Sequence, residues 1–81
     1  MKRQHVDSSM LRSAGYDAKS ETLELEFTNG RVYQYAEVPP EVFADLMAAD
    51  SKGRYVLASI EPFYLAFQIS RARSRRRTGA V

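Results

Sequence analysis

The segment TLELEFTNGRVYQY, residues 22 to 35, constrains the fold of this chain more than any other. Leu23, Leu25 and Phe27 alternate with polar residues, which is the pattern of a strand with one buried face. Asn29-Gly30 is a strong turn former, and a second strand carrying tyrosines at positions 33 and 35 follows it. The segment therefore predicts a β-hairpin.

Two turns compete for this hairpin. A two-residue loop at 29–30 would pair Phe27 with Val32 and leave Tyr33 and Tyr35 outside, as a platform on which bases could stack. A three-residue loop at 28–30, with Gly30 in a left-handed conformation, would turn both tyrosines toward the leucine face. Each tyrosine has about 150 Å² or more to bury, worth roughly 25 cal/mol per Å², so burial favours the second alternative.

The remaining segments predict an α+β fold. A strand is expected over residues 9–14, ended by Gly15, and the apolar spacing after Pro40 indicates a helix. Ser51 is a plausible N-cap for a second short helix over 52–59, and FYLAFQIS, residues 63–70, indicates a final strand. The order β-β-β-α-α-β predicts a small antiparallel sheet with two short helices on one face.

The charges divide the 81 residues unevenly. Residues 1–70 carry seven Lys and Arg against all ten Asp and Glu, a net charge of −3, whereas residues 71–81 carry five arginines and no acid. We therefore expect a flexible N-terminus over 1–7, a domain over 8–70, and a basic, disordered tail over 71–81.

No residue pattern indicates catalysis. There is no cysteine, and the single histidine, His5, falls in the segment expected to be mobile, so neither a metal site nor a Ser-His-Asp relay is predicted. No glycine-rich phosphate loop, signal peptide or membrane-spanning stretch is present. We expect a cytoplasmic, non-enzymatic protein without a cofactor.

The basic tail is the strongest indication of a partner. Arginine forks bind phosphates, so the tail predicts salt-sensitive contact with RNA or DNA, extended by Arg54 or Arg31; the alternative is a merely solubilising tail. The tail arginines are Arg71, Arg73, Arg75, Arg76 and Arg77.

Several spaced residues between about Val6 and Tyr64 resemble the KTSC domain, a short bacterial and phage module also found at the C-terminus of some lysyl-tRNA synthetases. The landmarks are Ser8, Ser9, Tyr16, Asp17, Gly30, Tyr33, Tyr35, Pro39, Ser51, Gly53 and Tyr55. Leu57 and the ending EPFYLAFQIS depart from the family pattern, which commonly has an asparagine and a more basic, tyrosine-rich ending there.

The resemblance implies an uncharacterised binding module, and its synthetase context implies contact with RNA or tRNA. One rival function is a protein-interaction module that uses an apolar strip or sheet edge in YLAFQIS to bind a partner or a second copy. Another is a small-ligand pocket lined by Tyr16, Tyr33 and Tyr35 near Ser51 and Ser8.

Overall fold

The computed structural model describes residues 2–70, which form one antiparallel sheet covered by helices on one face. The strands pair in chain order and are β1 (Gln4–His5), β2 (Leu11–Asp17), β3 (Thr22–Phe27), β4 (Val32–Tyr35) and β5 (Ala66–Ser70). Between β4 and β5 the chain forms helix α1 (Pro40–Ala48), helix α2 (Lys52–Tyr55) and a π-helical turn (Val56–Ile60). The predicted α+β class is confirmed, and β1 is an addition to the predicted order.

The β3–β4 hairpin adopts the three-residue loop. The amide of Phe27 donates to the carbonyl of Arg31 at 2.9 Å, which leaves residues 28–30 as the loop, and Gly30 has a φ of 91°. Leu25 then lies opposite Tyr33, and Leu23 lies opposite Tyr35. The tyrosines therefore point toward the core, as the larger burial of apolar surface requires.

The core lies between the sheet and the helices. Leu23 and Leu25 of β3 pack with Leu46 of α1 and with Val56 and Ile60 of the π-helical turn, and all five side chains are fully buried. The π-helical turn is marked by the amide of Glu61, which donates to the carbonyl of Val56 at 2.8 Å. Val56 and Ile60 lie at the two ends of this turn, and both reach the core.

The predicted first strand is wrong in its bounds, because β2 begins at Leu11 and continues through Gly15 to Asp17. Gly15 does not end the strand; its missing side chain instead leaves room for the backbone of Lys2. A Cβ at position 15 would lie 2.6 Å from the carbonyl oxygen of Lys2, so the absence of a side chain lets the N-terminal segment lie against β2.

Two later boundaries also differ from expectation. The second helical segment extends to Ile60 instead of ending at Ser59. The last strand begins at Ala66, because the amides of Phe63 and Tyr64 both donate to the carbonyl of Ile60 and form a turn before it. Within residues 2–70, no helix has the length and apolar character needed to cross a membrane.

Candidate functional site

Basic side chains gather at the end of the sheet that carries the β3–β4 loop. Arg31 flanks this loop, and Nη2 of Arg12 donates to the loop carbonyl of Thr28 at 3.2 Å. Helix α2 reaches the same end through Met10, whose carbonyl accepts the amide of Thr28 at 3.0 Å and whose side chain lies against Gly53. This region, the basic end, holds Arg12, Arg31, Lys52 and Arg54, together with the acidic residues Asp7, Asp50 and Glu26. Arg12 is ion-paired with Glu26 at 3.6 Å, and Nζ of the partly buried Lys52 donates to the carbonyl of Ala49, so Arg31 and Arg54 are the more available cations.

Strand β5 also ends at the basic end. Ser70 lies opposite Val32, the residue that follows Arg31. The predicted phosphate-binding arginines at 71, 73, 75, 76 and 77 follow in the sequence and lie outside the described residues. The last described residue of β5 therefore lies close to Arg31.

The opposite end of the sheet is acidic. The amide of Val38 donates to the carbonyl of Glu21 at 2.8 Å, which holds the β2–β3 turn beside the start of α1. The acidic end holds Asp17, Glu21, Glu37, Glu41 and Glu61, with Lys2 and Lys19 as its basic residues. The charges are thus separated along the strand direction, which their positions in the sequence do not indicate.

Tyr33 and Tyr35 do not form an open stacking surface. Only 1% of Tyr35 is exposed, and its hydroxyl donates to Oε2 of Glu61 at 3.3 Å. Burial raises the pKa of Tyr35 far above its usual value, and the neighbouring carboxylate adds to the shift. Tyr33 is half-buried, with its ring 5.7 Å from that of Phe27 in an edge-to-face contact. Base recognition by this pair is therefore not favoured.

The polar landmark residues make local structural contacts. Oγ of Ser8 accepts the amide of Met10 at 3.2 Å, and Oγ of Ser51 accepts the amide of Arg54 at 3.3 Å as the N-cap of α2. Asp17 accepts from the amide of Lys19 at 3.1 Å within the β2–β3 turn.

The other landmarks also occupy structural positions. The hydroxyl of Tyr16 donates to the carbonyl of Val38, while its ring stacks on Phe43 with centroids 5.2 Å apart. Pro39 is the N-cap of α1, the carbonyl of Ser9 faces the hydroxyl of Thr28, and Tyr55 packs against the core.

The expected pocket around three tyrosines is not assembled in the described structure. Tyr16 instead lines a shallow depression of about 480 Å³ on the acidic side, with Lys2, Asp17, Ser20, Thr22 and Gln34. Ser51 and Tyr55 line a different depression beside Arg54, and Ser8 is used in a turn. Within residues 2–70, no group of three or more His, Asp or Glu side chains is arranged to hold a metal ion.

The outer sheet face, which the helices do not cover, carries a polar cluster around Glu24. Glu24 is only 5% exposed, and it pairs with the guanidinium of Arg3 and accepts from Nε2 of Gln34 at 2.9 Å. Ser13 accepts from Nε of Arg3 at 2.9 Å and donates to Oε1 of Glu26 at 2.8 Å. The pairing of β1 with β2 carries Arg3 onto this face, and no local sequence signal indicates that position.

Large apolar side chains remain exposed around β5. Phe67 lies opposite Gln34 and extends the outer sheet face. The exposed fractions are 71% for Phe63, 67% for Leu65, 53% for Phe67 and 47% for Ile69. We refer to these four residues as the apolar strip. The four residues occupy alternate positions in the sequence, but this alternation alone does not show whether the helices cover them.

The model of the KTSC domain family matches residues 7–64. The chain belongs to the KTSC domain family. It is similar over 85% of its length to the crystal structure of a KTSC domain protein from Yersinia pestis, with a TM-score of 0.83, 38% identity and 97% of that chain covered. It is also 51% identical over 63 residues to a protein of Tsukamurella paurometabola, covering 78% of this chain and 94% of that one.

A KTSC region also occurs in a larger enzyme. A lysine–tRNA ligase of Nostoc punctiforme is 43% identical over 49 residues, which is 60% of this chain and only 9% of the ligase. The match thus covers a small part of the ligase, and it assigns no catalytic role to the domain.

Proposed function

We propose that this KTSC domain is a non-enzymatic binding module that contacts RNA through its basic end and the arginine-rich segment that follows β5. The observation that carries the proposal is the charge separation. Arg12, Arg31, Lys52 and Arg54 lie at the same end at which β5 finishes, and the sequence continues there with five more arginines.

Phosphate contact fits this arrangement better than base recognition. Arginine binds phosphate oxygens in a bidentate manner whatever the base sequence, whereas base reading needs exposed edges or stacking rings. The residues 2–70 carry a net charge of −3, so the folded domain as a whole does not attract a polyanion. We therefore assign most of the affinity to the arginine-rich segment, with Arg31 and Arg54 extending it. The lysine–tRNA ligase relative supports tRNA as the first RNA to test.

Fluorescence anisotropy with labelled tRNA near physiological salt tests the proposal. The full chain should bind, and replacing the five arginines of 71–77 by glutamine should weaken binding at least about tenfold. Replacing Arg31 and Arg54 together by glutamine should weaken it less. Lys19→Gln, an exposed cation of the acidic end, is the matched control and should leave the affinity unchanged. Absence of tRNA binding by the full chain would disprove the proposed function.

A second candidate is a protein-interaction module, and the apolar strip favours it. Soluble domains seldom leave several large apolar side chains together in water unless a partner covers them. This function is compatible with RNA contact, because the strip consists of side chains different from the cations of the basic end.

A further inference from the structure

We infer that the apolar strip binds a second copy of this chain, through antiparallel pairing of β5 with its symmetry mate across a two-fold axis near Phe67. This inference rests on the protein-interaction function and identifies its partner. The dimer would join two five-stranded sheets into one ten-stranded sheet.

The two outer strands of the sheet differ in how they are protected. The β1 side is short, with two strand residues, and charged residues 2 and 3 precede it. The β5 side has five strand residues, Ala66 to Ser70, without a charge or a proline. Natural sheets usually protect an outer strand by shortness, charge, proline or a bulge. β5 has a bulge at Ile69 but none of these devices from Ala66 to Gln68, so that stretch has the composition of a strand that a partner covers.

The sequence of β5 matches an inverted copy of itself. The regular part of β5 runs from Ala66 to Gln68, because Ile69 is the extra residue of a bulge opposite β4. With Phe67 opposite its own counterpart, antiparallel pairing would place this Phe67 pair on the outer face and bring Leu65, just before β5, near Ile69 of the other copy. A two-fold interface requires such self-complementarity, because each copy presents the same patch.

Charge complementarity also favours a second copy. Antiparallel pairing sets the basic end of one protomer beside the acidic end of the other, so that Arg31 approaches the region of the partner that corresponds to Glu37 and Glu61. A parallel arrangement would place like charges together. The attraction between the basic end and the acidic end therefore favours the same antiparallel arrangement as the strand pairing.

The composition of residues 71–81 favours a second copy, and not this segment, as the occupant of the strip. Residues 71–81 contain five arginines and, as apolar residues, only two alanines and one valine, so they lack large side chains to exclude water from phenylalanine and leucine. The strip exposes on the order of 400 Å² of apolar surface in each copy, and two copies approach the area of a small specific interface. Edge pairing covers only part of that surface, so we expect a micromolar dimer rather than a nanomolar one.

Sedimentation equilibrium of the full chain over low to high micromolar concentration measures this association. Phe67→Lys places a charge in the centre of the interface and should raise the dimer dissociation constant at least about tenfold. Leu57→Lys is the matched control, because Leu57 is 56% exposed and lies outside the strip; the dissociation constant should change less than about twofold. Circular dichroism melting of both variants verifies that they fold.

A cross-linking experiment tests the geometry separately. The chain has no cysteine, so Phe67→Cys introduces a single thiol close to the two-fold axis. Oxidation should give a covalent dimer of Phe67→Cys far faster than of Leu57→Cys. Equal rates for the two variants would disprove the pairing.

The outcomes separate the proposals from each other. A full chain that stays monomeric at several hundred micromolar would disprove the dimer and leave tRNA binding untouched. If Phe67→Lys instead abolished tRNA binding in a monomeric protein, the strip would be a base-stacking surface and the dimer would be wrong. Glutamine replacement of the five arginines of 71–77 should weaken tRNA binding at least about tenfold and leave the dimer dissociation constant within about threefold of its original value.

Discussion

The packing of α2 requires glycine at position 53, because any side chain there would lie too close to Met10. Gly53 lies in α2, and a Cβ built there would approach Cβ of Met10 at 2.8 Å and its Sδ at 2.9 Å. Real Cβ atoms essentially never lie so close, so Gly53→Ala must push the Met10 loop and α2 apart.

We expect Gly53→Ala to lower the free energy of unfolding by about 1–3 kcal/mol in urea titration, the usual range for overpacking. Arg54→Ala, on the exposed side of the same helix, should change it by less than about 0.5 kcal/mol. Unchanged stability in Gly53→Ala would contradict the close packing of α2 on Met10.

Tyr35 makes the stability of the fold sensitive to alkaline pH. Because its pKa is raised in the folded state, the folded protein retains the phenol proton that the unfolded chain releases above about pH 10. The stabilisation is complete below that pH and declines as the pH rises toward the folded-state value. Tyr16 and Tyr55 have pKa values shifted in the same direction, also through burial first.

The free energy of unfolding should therefore decrease between pH 9.5 and 11.5, and Tyr35→Phe should reduce that slope. At neutral pH the same variant should lose about 1 kcal/mol, because it removes the hydroxyl that donates to Glu61. Tyr33→Phe is the control, with an expected change below about 0.5 kcal/mol. An unchanged alkaline slope in Tyr35→Phe would assign the pH effect to other groups.

At the scale of elements, the two-residue strand β1 is stabilised by an ion pair as well as by its backbone pairing with β2. Arg3 precedes it and pairs with Glu24, whose carboxylate is nearly excluded from water. Removing the cation leaves a buried carboxylate with Gln34 as its remaining described partner. A buried charge without its counter-ion is strongly destabilising, although partial exposure of Arg3 reduces the effect.

Arg3→Ala should cost about 2 kcal/mol of unfolding free energy, and hydrogen exchange of the β1 and β2 amides should accelerate. The double variant Arg3→Ala with Glu24→Gln should recover part of the loss, because no buried charge remains. Arg12→Ala removes an exposed ion pair with Glu26 and should change the free energy by less than about 1 kcal/mol. Equal losses in Arg3→Ala and Arg12→Ala would show that the buried pair has no special role.

At the scale of the whole molecule, the two proposed interactions should respond differently to salt. Binding of RNA by five arginines releases counterions, so the logarithm of affinity should fall against the logarithm of salt concentration with a slope of about −3.5. The dimer is held mainly by apolar contact, with a smaller contribution from the basic end of one copy beside the acidic end of the other. Raising NaCl from 0.1 to 0.5 M should therefore raise the dimer dissociation constant by less than about tenfold. Anisotropy and sedimentation at matched salt concentrations measure the two slopes. Equal salt slopes would contradict the assignment of two separate surfaces.

Local sequence patterns were enough to predict the hairpin, the first helix and the α+β class. These patterns are the alternation of Leu23, Leu25 and Phe27, the Asn29-Gly30 turn and the apolar spacing in α1. These are local properties, because periodicity and turn chemistry act within a few residues. The bounds of β2 were wrong because Gly15 is explained only by the approach of Lys2, which is distant in sequence.

Arg31 and Arg54 were proposed as phosphate-binding residues from their charge alone. The location of Arg12 and Lys52 at the basic end became apparent only from the contacts among β2, the β3–β4 loop and α2. The sequence by itself determined which residues alternate and where the chain turns. The burial argument on the hairpin also predicted that Tyr35 points inward, as the structure shows. The tertiary structure alone decided which side of β5 the helices cover, and hence that Phe67 is exposed. The physical reason is that burial depends on neighbours brought together from distant parts of the chain, and a local pattern is the same whichever face they cover.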